Sequence, residues 1–340
     1  MGEHVVVLSR AGSASIPPDL TRQVRGRARV DFVVRQTAPD PHDAADLLRD
    51  ATVLATTNVT LPRLDDELLD RLPRLRVIVL YATGYEHVDL ELLARHGVTL
   101  SVLPAYATGA VAEHALAMLL TLAARTHLAN DKARGLVARD TSLRGVELGG
   151  RTLGVVGVGR IGFHLSRIAT GIGMTVLGSD PDPSARAVAR EVGIEMTTTD
   201  DLLERSSAVA LCASTDRRRP VLLDADRLHL LPPGAFVVNV GRPGLVDTDA
   251  AVALLRSRHL RGYAVDDVVL DPVDHADLLA EGRVLQTSHS AWWRDEVLAR
   301  GAEQFGLAVL AAVEGTPVDV AAVRPTHPTV TRQPAREQVA

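Results

Sequence analysis

Short runs of β-branched and apolar residues alternate along the chain with longer stretches in which Ala, Leu, Arg and acidic residues recur at helical spacing. The first series of runs is HVVVLS (4–9), ARVDFVV (28–34), ATVLAT (51–56), RVIVL (76–80) and VTLSVL (98–103). Between them lie PHDAADLLRD and LDDELLDRL, which read as helices. Continuously apolar strands suit a parallel sheet covered by helices on both faces. A second series starts at RTLGVVGV (151–158) and continues through MTVLGSD (174–180), AVALCA (208–213), AFVVNV (235–240), YAVDD (263–267) and VLQTS (284–288). Strand–helix alternation predicts an α/β fold, and two such series predict two α/β domains. The longest helical pattern, over about 108–128, falls between the series and is expected to link the domains.

Length and composition narrow the possibilities. A chain of 340 residues fits about two domains, each able to bury its own core. With 46% hydrophobic residues and 23% charged ones in mixed order, wholesale disorder is excluded. The longest apolar stretch, 107–124, is interrupted by Glu113 and His114 and falls short of the roughly 20 clean residues of a membrane span. The opening MGEHVVVLSR has neither a basic start nor a small-residue cleavage site, so a secretory signal is not expected. One cysteine, Cys212, allows no internal disulfide and no cysteine-based metal site, and the cytoplasm is the expected compartment. Lys132 is the only lysine among 37 basic residues, the net charge is -5 and aromatics make up 3%. Neither a nucleic acid nor a membrane surface is an expected partner of that balance. The end of the chain, 326–340, is polar, rich in Thr and Pro, and expected to be irregular.

The sharpest local signal is LGVVGVGRIG, an apolar strand running into Gly157, Gly159 and Gly162. The first glycine permits a tight turn, the second lets the backbone approach a pyrophosphate, and the third lets the helix pack on the strand. A helix beginning near Arg160 then points free N–H groups at phosphates. Asp180 follows 18 residues beyond Gly162, at the end of the next strand. Its carboxylate accepts ribose hydroxyls and repels a 2′-phosphate, so NAD is the expected cofactor. Arg217, Arg218 and Arg219 offer an NADP preference as the alternative, although a three-residue charge run ordinarily forms a solvated loop.

Several further segments occur in a telling order: ATGYEHVDL (82–90), AYATGAVAEHALAMLL (105–120), ELGGRTLGVVGVGRIG (147–162), LLPPGAFVVNVGRPGLVD (230–247), LRGYAVDDVVLDP (260–272) and QTSHSAWW (286–293). Over residues 75–312, and more loosely before them, the chain resembles the D-isomer-specific 2-hydroxyacid dehydrogenases. The resemblance implies a Rossmann-like NAD-binding domain, 104–292, inserted into a flavodoxin-like substrate domain made of 1–103 and 293–325. It implies cofactor contacts from Thr108, Gly157, Gly159, Arg160, Ile161, Gly162, Asp180, Cys212, Val240, Gly241 and Asp266, the last to the nicotinamide amide. Read without the resemblance, Cys212 is a small buried residue on an apolar strand. A two-fold interface on the helix beginning near Thr108 is also implied, and hence a homodimer.

An enzyme of this kind interconverts a 2-keto acid and its D-2-hydroxy acid, and three roles need residues. Arg242, in NVGRPG, is the planar, always-charged donor for carboxylate and carbonyl. His289, in TSHSAW, is a proton donor of the right kind for the alkoxide. Asp271, in LDP, stands where the resemblance puts the carboxylate that orients the histidine. Backbone amides around Thr83 and Gly84 are implied to receive the substrate carboxylate, and Trp292 or Trp293 to line the substrate side. His114 is read as a structural residue at a helix interface. The sequence departs from the family in having Asp271 for the usual Glu, Pro243 for a usual Gly, and Ser288 for a usual Pro. The ATGY segment is similar to the glycerate and hydroxypyruvate reductase branch, which implies small polar keto acids, with a phosphonate or other specialised acid as the alternative. The competing class is an NADH-sensing regulatory or scaffold protein on the same fold.

Overall fold

The computed structural model describes residues 2–214 and 221–321, so Arg217, Arg218, Arg219 and the tail 326–340 lie outside the described residues. Within them the strands form two parallel sheets. The first contains β1 (Glu3–Ser9), β2 (Ala28–Val34), β3 (Val53–Thr57), β4 (Val77–Tyr81) and β5 (Thr99–Val102) in the order β2-β1-β3-β4-β5. That order is the flavodoxin-like one. The second contains β6 (Thr152–Val156), β7 (Thr175–Ser179), β8 (Glu195–Met196), β9 (Ala208–Leu211), β10 (Ala235–Asn239), β11 (Leu260–Val265) and β12 (Val284–Gln286). Its order is β12-β11-β10-β9-β6-β7-β8, a doubly wound Rossmann arrangement.

The apolar runs form strands because both faces of the second sheet are covered. On β10, Ala235 and Val237 belong to one buried cluster while Phe236 and Val238 belong to the other. On β9, Val209 and Leu211 divide from Ala208 and Ala210 in the same way. Successive side chains point to opposite faces, so a strand buried on both sides must be apolar throughout. β8, only two residues long at the sheet edge, carries no such run and is invisible to the pattern.

Two compact units divide the described chain. One holds the first sheet and comprises residues up to 82, 88–102 and those from 305; the other holds the second sheet and comprises 83–87 and 103–304. The helix Asp295–Val313 is divided between the two, and so does not belong wholly to the return segment expected from 293. Local bonds explain the division. Arg300 donates to the Tyr106 carbonyl at 2.7 Å in the second unit, whereas Phe305 meets the Tyr81 ring edge-on at 5.2 Å in the first. The long helix expected over 108–128 is two helices, Thr108–Ala124 and Thr126–Ala133. Arg125 between them takes a left-handed backbone (φ 58°), and its guanidinium donates to the carbonyls of Ser142 and Glu281. Those acceptors come from distant chain, so no local signal marks the break.

In the second sheet the strand order reverses between β6 and β9. Ligands of doubly wound sheets bind outside the carboxyl ends of the strands at such a switch point. The segments leaving β6, β7, β9, β10, β11 and β12 carry Gly157, Asp180, Cys212, Arg242, Asp266 and His289 respectively.

Candidate active site

The turn after β6 is shaped by steric necessity. Gly157 has φ 90°, and a Cβ there would come within 2.7 Å of the Ala213 backbone nitrogen. A Cβ on Gly162 would overlap the Gly157 carbonyl oxygen and lie 3.0 Å from the Val155 side chain. Gly159 is the N-cap of the helix Arg160–Gly171, with no side chain to satisfy the first amides and open space where its Cβ would stand. Uncapped amides at a helix N-terminus beside open space fit a pyrophosphate. Arg160 is exposed, Ile161 half-buried and Gly162 buried, in keeping with a helix that starts at the surface and packs one turn later. Asp180 braces the turn from the end of β7, accepting the Val158 amide at 2.8 Å and the Asp182 amide at 2.9 Å.

Cys212 follows β9, its amide bonded to the Val156 carbonyl at 2.9 Å, and burial pushes its thiol up to about 12. The thiol therefore stays protonated and unreactive. Val240 donates its amide to the Leu211 carbonyl at 3.2 Å. A Cβ on Gly241 would meet the Ala213 carbonyl oxygen at 2.6 Å, so the β9 and β10 turns touch backbone to backbone here. Thr108 opens its helix with the hydroxyl donating to the Ala105 carbonyl at 3.1 Å.

Arg242 is set by its neighbours. The buried Asn239 accepts the Gly241 amide at 3.0 Å and donates to the Arg242 carbonyl at 2.8 Å, clamping the turn from both sides. Pro243 then opens a short 3-10 turn, Pro243–Leu245, where a missing N–H costs nothing. The guanidinium donates to the Gly241 carbonyl at 2.9 Å and pairs with Glu86 at 3.2 Å. It lies over Gly84: a Cβ there would stand 3.0 Å from Arg242 Cζ and 2.8 Å from Glu86 Oε2. Thr83 anchors this segment by donating its hydroxyl to the Leu103 carbonyl at 2.9 Å.

The third part is the pair of loops after β11 and β12. The Asp266 carboxylate accepts the Thr287 hydroxyl and the Ser290 amide at 2.8 Å each, and the Ala291 amide at 3.1 Å. These bonds bracket His289, which is exposed and has φ 53°, a left-handed backbone uncommon outside glycine. The carboxylate facing His289 is that of Asp267, 3.8 Å from Nδ1. Asp271, expected in that position, instead accepts the Val273 and Asp274 amides at 2.8 and 3.4 Å and makes no bond to His289. A carboxylate one methylene shorter than glutamate is caught by its own turn. Gln286 pins the same loop, accepting the Val269 and Leu270 amides at 2.8 Å each. Trp292 is half-buried and Trp293 61% exposed, their rings edge-to-face at 5.0 Å.

The second unit thus brings Gly84, Glu86 and Arg242 together, and Asp266, Asp267 and His289 together. Sequence reasoning missed Glu86, Asn239, Asp267, Gln286 and Thr287. Asn239 and Gln286 had one usable signal, an amide side chain ending an otherwise apolar buried strand.

The family model for the D-isomer specific 2-hydroxyacid dehydrogenase NAD binding domain matches residues 116–291. A glyoxylate reductase of Thermococcus onnurineus is 32% identical over 249 residues, covering 71% of this chain and 74% of the relative. A D-3-phosphoglycerate dehydrogenase of Mycobacterium leprae is 31% identical over 73% of this chain and 45% of its own length. Among solved structures, the D-lactate dehydrogenase of Aquifex aeolicus, complexed with NAD and lactic acid, is 25% identical with a TM-score of 0.73 over 92% of this chain and 96% of that one.

Proposed function

The chain belongs to the D-isomer-specific 2-hydroxyacid dehydrogenase family and is an NAD-dependent oxidoreductase acting on 2-keto and 2-hydroxy acids; from that premise we propose which of its residues do the work. Arg242, with the backbone amides of Thr83 and Gly84, binds the substrate carboxylate. His289 gives a proton to the developing alkoxide in reduction and takes it back in oxidation. Resemblance implies Asp271 as its partner, but distance supports Asp267, and Asp267 has the role in this reading. The turn of Gly157, Gly159 and Gly162, the helix start at Arg160 and Ile161, and Asp180 hold the dinucleotide, with Thr108, Cys212, Val240, Gly241 and Asp266 around it. When bound, the nicotinamide is the donor or acceptor of a hydride. Trp292 lines the substrate side.

One observation carries the assignment: the Arg242 guanidinium, held over Gly84, already carries a carboxylate, that of Glu86, at 3.2 Å. A guanidinium on a clamped turn that holds the Glu86 carboxylate can exchange it for the carboxylate of a substrate, to which its fork of donors is equally matched. The glyoxylate reductase relative supports a small polar keto acid as substrate. The second unit is assigned the NAD-binding role, and the substrate contacts given to Thr83, Gly84, Arg242, His289 and Trp292 fall within it as well. The protein works in the cytoplasm as a homodimer. Leu120 and Leu136, 40% and 61% exposed on and beyond the helix Thr108–Ala124, supply apolar surface for the interface. NADH oxidation with a panel of 2-keto acids tests the reading. Glyoxylate or hydroxypyruvate is expected to turn over, and Arg242→Ala and His289→Ala to lose that turnover by about two to four orders of magnitude. No turnover with any keto acid overturns it.

A further inference from the structure

We propose that His114 and Thr287 are positioning residues for the general acid, linking the helix Thr108–Ala124 to the His289 loop through Asp266. This rests on His289 being the acid. The directions of the hydrogen bonds follow from donor chemistry. An ionised Asp266 only accepts, so Thr287, 2.8 Å from Oδ1, spends its single hydroxyl proton there. The 2.9 Å contact between Thr287 Oγ1 and His114 Nε2 is then donated by the imidazole. Arg294 only donates, and its Nη2 is 3.1 Å from His114 Nδ1, so Nδ1 carries the lone pair. The chain Arg294, His114, Thr287, Asp266 therefore runs in one direction and requires a neutral histidine.

The charged groups facing His114 are Asp266, 3.7 Å away after β11, and Arg294, ahead of the helix Asp295–Val313. Asp266 alone favours the imidazolium. Burial first, with Arg294, outweighs it and holds the pKa below the ordinary 6.5. The relay ends where the chemistry is: Asp266 accepts the Ser290 and Ala291 amides on the far side of His289. It thus holds the left-handed backbone that aims the acid. Because the folded pKa is depressed, the relay is whole above the ordinary histidine value and is lost as pH falls through the folded one. Protonation puts a second donor against Arg294 and breaks the chain.

Thr287→Val, Thr287→Ser, His114→Leu and His114→Gln test this in the full-length protein. The readouts are kcat and KM for keto acid reduction across acid and neutral pH, NADH binding by fluorescence, and hydrogen exchange of the Ser290 and Ala291 amides without ligand. Thr287→Val is expected to lower kcat about 10- to 100-fold, leave NADH affinity within about twofold and speed exchange about 10-fold or more. Thr287→Ser restores most of kcat. His114→Leu lowers kcat about 10-fold at pH 8; His114→Gln, whose amide reaches Thr287 but does not titrate, recovers it and removes the acid-side decline of the wild type. The proposal is overturned if Thr287→Val keeps wild-type kcat and exchange, or if His114→Gln keeps the acid-side decline. Should Thr287→Val not fold, Thr287→Ser and the His114 pair still decide. If the wild type reduces no keto acid, the enzymatic assignment fails, and exchange at Ser290 and Ala291 still judges the relay.

Discussion

A single methyl group at position 84 is expected to separate function from stability. Gly84 is not among the glycines with positive φ, so alanine suits its backbone. The new Cβ would stand 3.0 Å from Arg242 Cζ, closer still to Nη2, and 2.8 Å from Glu86 Oε2. Carbon atoms rest at about 3.5–4.0 Å, so Cζ must retreat by about 0.5–1 Å and Nη2 by more. Both obstructing groups are ends of flexible side chains. The fold therefore yields cheaply by moving the guanidinium, and the stability change should stay within about 0.5 kcal/mol, as for ordinary surface substitutions. Catalysis is less forgiving: a displacement of about 1 Å costs roughly 100-fold, or about 2.7 kcal/mol of transition-state stabilisation. Gly84→Ala is therefore expected to lower kcat/KM for keto acid reduction about 100-fold, with melting temperature and NADH affinity unchanged. Steady-state kinetics, a thermal melt and a fluorescence titration measure the three quantities. A variant with kcat/KM within about threefold of wild type would show that Arg242 does not work where it lies, and the site would have to be redrawn.

Gly162→Ala drives a methyl into the Gly157 carbonyl, which is backbone and has no room to yield. Overpacking of about 1–3 kcal/mol and at least a 10-fold loss of NADH affinity are expected, read by melting and titration. Asp267→Asn should lower kcat about 10-fold, whereas Asp271→Asn, whose amide oxygen still caps its turn, should stay within about threefold; the reverse order would return the partner role to Asp271. With Asp180 ending β7, NADH should be preferred to NADPH by about 100-fold or more in kcat/KM, and Asp180→Ala should erode that preference, as parallel kinetics with both cofactors would reveal.

The inner strands of the two sheets were legible in the chain because a parallel strand buried on both faces has to be apolar along its length, whereas the two-residue edge strand β8 was not. The phosphate turn was legible because each of its glycines answers a local demand: Gly157 a positive φ, Gly162 contact with the Gly157 carbonyl within the same turn. Residue type alone also picked out Arg242 and His289 as chemically able groups. What sequence could not supply is which groups meet. Glu86 and Arg242 are 156 positions apart, and His114 and Thr287 are 173 apart. Only the crossovers of the second sheet and the chain feeding it bring them within hydrogen-bonding distance. The break at Arg125 has the same origin, since its guanidinium finds the Glu281 carbonyl 156 residues away. Asp271 illustrates the opposite limit: two amides within three residues claim its carboxylate and leave Asp267 to face the histidine. Side-chain chemistry and backbone periodicity act over a few residues and are written locally; hydrogen-bond partners are chosen by distance in space, which the tertiary structure alone decides.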